Sequence, residues 1–199
     1  MLKSLSMSAE LNHLLTQIRA CTHCEAHLPM GARPVLAAKT SAKILIVGQA
    51  PGIRVHNSGI PWNDASGDRL RKWMNVDKAT FYDDNQIAIV PMGFCYPGTG
   101  ERGDLPPRKE CAKLWHEDLL ALLPNIELTL LFGIYAQKYF LGKKRKKNLT
   151  ETVLNYDEYL PEYLPMVHPS PRNHGWHKKN PWFEAELVPI LQTRVEKLI

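Results

Sequence analysis

Two kinds of hydrophobic pattern alternate along this chain. Lys43-Ile-Leu-Ile-Val47, Gln86-Ile-Ala-Ile-Val90, Glu127-Leu-Thr-Leu-Leu-Phe132 and Leu164-Pro-Met-Val167 are short, nearly continuous apolar runs. Such runs are typical of strands buried on both faces, as in a parallel sheet. Between them apolar residues recur at helical spacing. Leu11, Leu14, Leu15 and Ile18 mark a first helix, with Ser8 as its predicted N-cap. Residues 70–74 follow the first strand. Pro107 to Leu123 presents Cys111, Leu114, Trp115, Leu119 and Leu122 on one face, with proline at its opening positions. Residues 134–141 and 182–198 are the remaining helices. The alternation predicts an α/β fold: a three-layer α/β/α sandwich around a mostly parallel four-stranded sheet. With 199 residues, no internal repeat and no long linker, one domain is expected over 1–199.

In sheets of this kind ligands bind beyond the carboxyl ends of the strands. Two of the predicted strands run straight into unusual loops, Gly48-Gln-Ala-Pro-Gly52 and His168-Pro-Ser-Pro-Arg172. The first places two glycines around a proline, so that backbone N–H groups can approach a ligand closely. It lacks the Gly-Lys-Ser/Thr of a Walker loop. Gly59-Ile-Pro-Trp62 and Ser66-Gly67 follow it. The second loop holds a histidine at a strand end between stiffening prolines, aimed at the same crevice.

Composition changes this picture little. Hydrophobic residues are 44% and charged residues 23%, as in ordinary globular proteins, and the formal charge is +5 with eight histidines. That balance is compatible with a phosphate-bearing partner without requiring one. Residues 1–9 do not read as a secretory signal, and no run approaches the roughly 20 apolar residues of a membrane helix. A cytoplasmic location is therefore expected, with no membrane partner. Four cysteines in such a protein are read as metal ligands, catalytic thiols or core residues before disulfides. Cys21 and Cys24 form a C-x2-C, and Cys95 and Cys111 are separated by fifteen residues. Two thiolates in one turn and two from a distant segment make a tetrahedral or cubane set. A thiol-redox role for Cys21-x-x-Cys24 is a weak alternative, because no thioredoxin-like order of elements surrounds it.

Taken together these motifs resemble the uracil-DNA glycosylase superfamily, and most closely its family 4, the iron–sulfur type. Gly48 to Gly52, Gly59 to Trp62 and Ser66-Gly67 are similar to that family's first motif without a gap. The cysteine spacing matches its cluster ligands, and His168-Pro-Ser170 matches its last motif. Leu131-Phe-Gly133 and Leu141-Gly142 fall where the family has a strand, a glycine and a short helix. The resemblance spans about residues 18 to 195. It implies a 4Fe-4S cluster on Cys21, Cys24, Cys95 and Cys111, with zinc as the alternative occupant. It also implies a hydrolase of base excision repair that removes uracil or a related deaminated base from single- or double-stranded DNA, working as a monomer.

The resemblance also implies roles for particular residues. A flipped base would stack on Trp62, meet the backbone at Gly48, Gln49, Ala50 and Pro51, and lie beside Ser170. His168 would donate to the departing base. Arg172 and Asn173 would fill the vacated stack or touch phosphate. Lys144 and Arg145, in the run Lys143 to Lys147, would grip the backbone. Some positions depart from the family. Gln49 stands where it has Glu, Ala50 where other branches have Asp, Ile53-Arg-Val-His56 where it is acidic, and Pro91 near its base-reading Asn. Asp64 is then the expected acid, with Asp68 nearby, or else a water held by Gln49 or His56. A binding module that keeps the pocket without catalysis is the alternative function.

Overall fold

The structure, a computed structural model, describes the backbone of residues 2–101 and 103–199 and the side chains from Ser6 onward. Its elements run in the order α1 (Leu2–Arg19), β1 (Ile44–Val47), α2 (Ile53–Ser58), α3 (Ala65–Met74), α4 (Lys78–Phe81) and β2 (Ile87–Ile89). A small hairpin follows, β3 (Thr99–Gly100) and β4 (Gly103–Asp104). Then come α5 (Lys109–Cys111), a π turn (Ala112–His116), α6 (Glu117–Ala121), β5 (Leu128–Phe132) and α7 (Ile134–Leu141). The chain ends with α8 (Leu149–Leu154), β6 (Tyr163–Met166), α9 (His174–Lys179), a second π turn (Phe183–Leu187) and α10 (Val188–Glu196).

Among the described residues β1, β2, β5 and β6 form one sheet, all parallel, in the order β2-β1-β5-β6. Every residue of β1, β2 and β5 is buried, which is why their sequences are apolar without alternation. Successive side chains still point to opposite faces. Ile44 and Ile46 enter one core with Leu70, Trp73, Phe81, Phe183 and Leu191. Leu45 and Val47 enter the other with Leu11, Ile18, Leu119 and Ala136. Helices therefore cover both faces, and the predicted sandwich is the observed one, its sheet wholly rather than mostly parallel.

The first helix does not begin at Ser8. α1 runs through that residue from Leu2, and the Ser6 hydroxyl donates to Glu10 Oε1 one turn on at 2.8 Å. Serine costs only a few tenths of a kcal/mol inside a helix, so its N-cap preference does not decide a boundary. The predicted helix over 107–123 starts at Lys109 and is interrupted by its π turn. No helix among the described residues is long and apolar enough to cross a membrane.

Strand order reverses between β1 and β5: β1 leads to β2 on one side, and β5 continues to β6 on the other. A crevice at the carboxyl ends of the strands opens at such a switch point.

Candidate functional site

The loops after β1 and β6 meet beyond the strand ends in a cleft of about 290 Å³. Gly48 passes so close to the Trp62 ring that a Cβ there would sit 3.0 Å from Cζ2. The carbonyls of Gly48 and Gln49 accept from the amides of Met92 and Gly93, both at 2.9 Å, which ties the loop to the segment after β2. Among the described residues the amides of Gln49 and Ala50 have no backbone acceptor, and both residues line the cleft. Gly48, Pro51, Trp62, Ser170, Arg172 and Asn173 line it as well.

Trp62 adopts φ 56°, a left-handed conformation that bulky residues rarely take. It is only 8% exposed, packs edge-on against Phe132 and stacks on His168 with centroids 5.1 Å apart. One face of the indole is thus occupied by the imidazole. His168 is fixed on further sides. Its Nδ1 accepts from Ser170 N–H at 3.2 Å, and its carbonyl accepts from Asn173 Nδ2 at 2.7 Å. Burial lowers its pKa to about 4, although Asp64 and Asp104 oppose the shift. At neutral pH the ring is therefore uncharged. Because Nδ1 accepts, Nε2 carries the proton.

Asp64 lines the cleft, and its Oδ1 caps α3 by accepting from Gly67 N–H at 2.9 Å. Asp68 is instead ion-paired to the buried Arg71 at 2.6 Å. His56 is buried beside Tyr96 and is not among the cleft-lining residues. Pro91 forms part of the wall, and the buried His116 holds its carbonyl through Nε2 at 3.1 Å. Burial pushes the pKa of His116 down to about 4, the Pro91 carbonyl opposing, so at neutral pH it is a neutral donor.

Reasoning from the sequence missed the hairpin. Gly103 and Asp104 of β4 line the cleft, with Gly103 against Arg172 of His168's loop. Gly103 has φ 124° and lies directly under the Arg172 guanidinium, so a side chain there would be both strained and blocked. Gln49 Nε2 donates to the Leu105 carbonyl at 2.9 Å, fastening the hairpin to the first loop. Two-residue strands rich in glycine carry no hydrophobic period, and a lone Gly-Asp offers no motif. No sequence signal pointed to Asp104.

Lys144 and Arg145 do not line the cleft. The Lys144 carbonyl accepts from Tyr159 Oη at 3.0 Å, and Lys146 is ion-paired with Glu158 at 2.5 Å. These contacts tie the basic run to the segment that enters β6 at its amino end, opposite the loops that build the cleft.

The four cysteines line a second, smaller cavity of about 20 Å³, walled by Leu28, Phe94 and Trp115. Cys95 and Cys111 are buried, and burial pushes both thiols up to about 11, with the other cysteines adding to the shift. The backbone of Arg33 opposes the rise at Cys95 and that of Phe94 the rise at Cys111; burial also raises Cys24, which the Arg108 side chain opposes. The Trp115 Nε1–H is buried with no partner among the described residues. Among those residues no group of three or more His, Cys, Asp or Glu side chains is arranged to hold one metal ion.

The parallel α/β sheet thus carries a cleft at its switch point, walled by a Gly-Gln-Ala-Pro-Gly loop and a neutral histidine. The family model for the Uracil DNA glycosylase superfamily matches residues 36–192, and the chain belongs to that superfamily. Membership supports a glycosylase-type function and DNA as the partner.

Proposed function

We propose that the protein is a DNA glycosylase that excises uracil or a related deaminated base. The observation that carries this reading is His168: a neutral imidazole at a strand end, with Nδ1 committed as acceptor and Nε2–H left to donate. Breaking the N-glycosidic bond moves negative charge onto the leaving base while positive charge develops on the sugar. A preset donor at the base's carbonyl oxygen stabilises that change, and removing one such donor typically costs about 2.7–4 kcal/mol. The free amides of Gln49 and Ala50 hold the base, Trp62 fixes the imidazole by stacking, and Arg172 and Asn173 meet the flanking DNA. An extruded nucleotide is needed because the glycosidic carbon is inaccessible within a duplex.

The same reading includes a 4Fe-4S cluster on Cys21, Cys24, Cys95 and Cys111. All-thiol donors, apolar walls and the unpartnered Trp115 Nε1–H fit a group that presents sulfur acceptors. A single zinc at about 2.3 Å from each sulfur needs four tightly gathered thiolates. A cubane takes one thiolate at each of four separate irons, so the same four cysteines would serve either group. The group's contribution is structural, joining the turn after α1 to the Cys95 loop and the Cys111 helix.

The test is incubation with single- and double-stranded oligonucleotides carrying uracil, hypoxanthine or xanthine, scored by alkaline cleavage at abasic sites. The wild type is expected to release at least one of these bases, and His168→Ala to lose most of that rate. DNA binding without an abasic product on every substrate would instead identify a non-catalytic nucleobase-binding module, the reading that the departures at Gln49, Ala50 and Pro91 favour. Iron and acid-labile sulfide assays on the brown or colourless purified protein decide the cluster separately.

A further inference from the structure

We propose that Asp104, on the β3–β4 hairpin, is the carboxylate that positions and deprotonates the attacking water. The assignment rests on the glycosylase reading and deepens it. A carboxylate beside the sugar would act as the base for water, yet the first loop carries none: Gln49, Ala50 and Ile53-Arg-Val-His56 are all without one. Two acids line the cleft, Asp64 and Asp104. Asp64 has one oxygen committed to the N-terminus of α3, where the Gly67 amide holds it. Asp104 also has one oxygen held, but by a neighbouring side chain rather than by a helix N-terminus. Its Oδ1 accepts from Thr99 Oγ1 at 3.0 Å, and Thr99 Oγ1 in turn lies 2.6 Å from Tyr96 Oη. This chain fixes one oxygen, and Oδ2 faces the first loop, 3.4 Å from where a Cβ on Gly52 would stand.

Gln49 links the two observations. It spends its amide on the Leu105 carbonyl, one residue beyond Asp104, and approaches the Asp104 carbonyl at 3.5 Å. A glutamate in its place would set a carboxylate against two carbonyl oxygens and release the hairpin. The neutral amide therefore does what an acid at that position cannot do. It fastens the element that carries the charge, so the hairpin supplies the carboxylate that the loop does not.

The step balances without a further reagent. The C1′–N bond breaks and its electron pair leaves with the base, which takes a hydrogen bond from His168 Nε2–H. Asp104 Oδ2 removes a proton from water as the oxygen bonds to C1′. That proton passes to solvent as the released base is protonated, leaving the hydroxyl on the abasic sugar.

The test measures binding to two DNAs without a base, one with a cationic pyrrolidine in place of the sugar and one with neutral tetrahydrofuran. Asp104→Asn is expected to lose roughly 10- to 100-fold on the cationic DNA, the range of a charge-assisted contact, and little on the neutral one. Thr99→Ala, which leaves the carboxylate but frees it, should lose part of that discrimination, and Gln49→Glu should lose it as well. Thermal melts establish that each variant is folded. Equal losses on both DNAs, or none, in folded Asp104→Asn overturn the assignment alone. Wild-type protein that binds neither DNA and releases no base overturns the glycosylase reading beneath it.

Discussion

The cleft and the cysteine cavity are built from overlapping stretches of chain by opposite means. The cleft is framed by short loops at the ends of buried strands, so its geometry follows from the sheet. The cavity owes nothing to the sheet directly: its walls come from the turn after α1, the Cys95 loop and the helix starting at Lys109, and only the thiols give these a common purpose. The difference separates two kinds of dependence. Changes in the cleft should alter chemistry and leave folding largely intact, whereas changes in the cavity should alter folding first.

The largest expected effect is in the cavity. Cys95→Ser should lose bound iron and sulfide and unfold at markedly lower temperature, because metal binding at such sites, on the order of 10 kcal/mol for structural zinc, is coupled to folding. Retention of the wild-type melting temperature in an iron-free variant would break the contrast. Next comes His168→Ala, expected to lower the single-turnover rate of base release by about 10²- to 10³-fold with the cluster absorption unchanged.

Acidification should expose an intermediate effect. His116 and His168 have pKa values lowered in the folded chain, to about 4, so the folded state refuses protons that the unfolded state accepts. Stability is therefore full above about pH 6.5 and falls as the pH drops from there towards 4. The slope is up to about 1.4 kcal/mol per pH unit for fully buried His116. Urea titrations at pH 7, 5.5 and 4.5 measure it, and His116→Gln should remove part of the slope. The same neutrality of His168 predicts no loss of base-release rate as the pH rises through 6.5.

Two smaller effects sharpen the contrast. Arg172→Ala, at the cleft, should weaken DNA binding and reduce its salt dependence by about one unit of slope. Lys144→Ala with Arg145→Ala, tied to the amino end of β6, should do less. On the cluster reading, Trp115→Phe should keep the fold and the iron but shift the visible absorption and make the cluster harder to reduce, because the indole N–H that would donate to its sulfur is removed.

The strands were legible because burial on both faces leaves continuous apolar runs that few other structures require. The two loops after β1 and β6 were legible because glycine, proline and histidine there have short-range reasons to be where they are. Asp104 was not, because its importance comes from a hairpin whose position is set by Gln49 and Arg172, both far away in sequence. Nor could the run from Lys143 to Lys147 reveal which end of the sheet it occupies, since charge reports solvation rather than direction. Trp62 was legible as a cleft residue, but not its stacking on His168, a contact between residues more than a hundred positions apart.

The π turn at Ala112–His116 gives the helix that bears Cys111 one residue more per turn than an α-helix would have there. Two consecutive side chains of this turn serve different sites: Trp115 faces the cysteines and His116 grips the wall of the cleft. The turn takes up the extra residue without rotating the helix beyond it, so Leu119 and Leu123 still face the core. The turn thus joins two unlike workshops through one short stretch of chain, with Cys111 and Trp115 at one and His116 at the other.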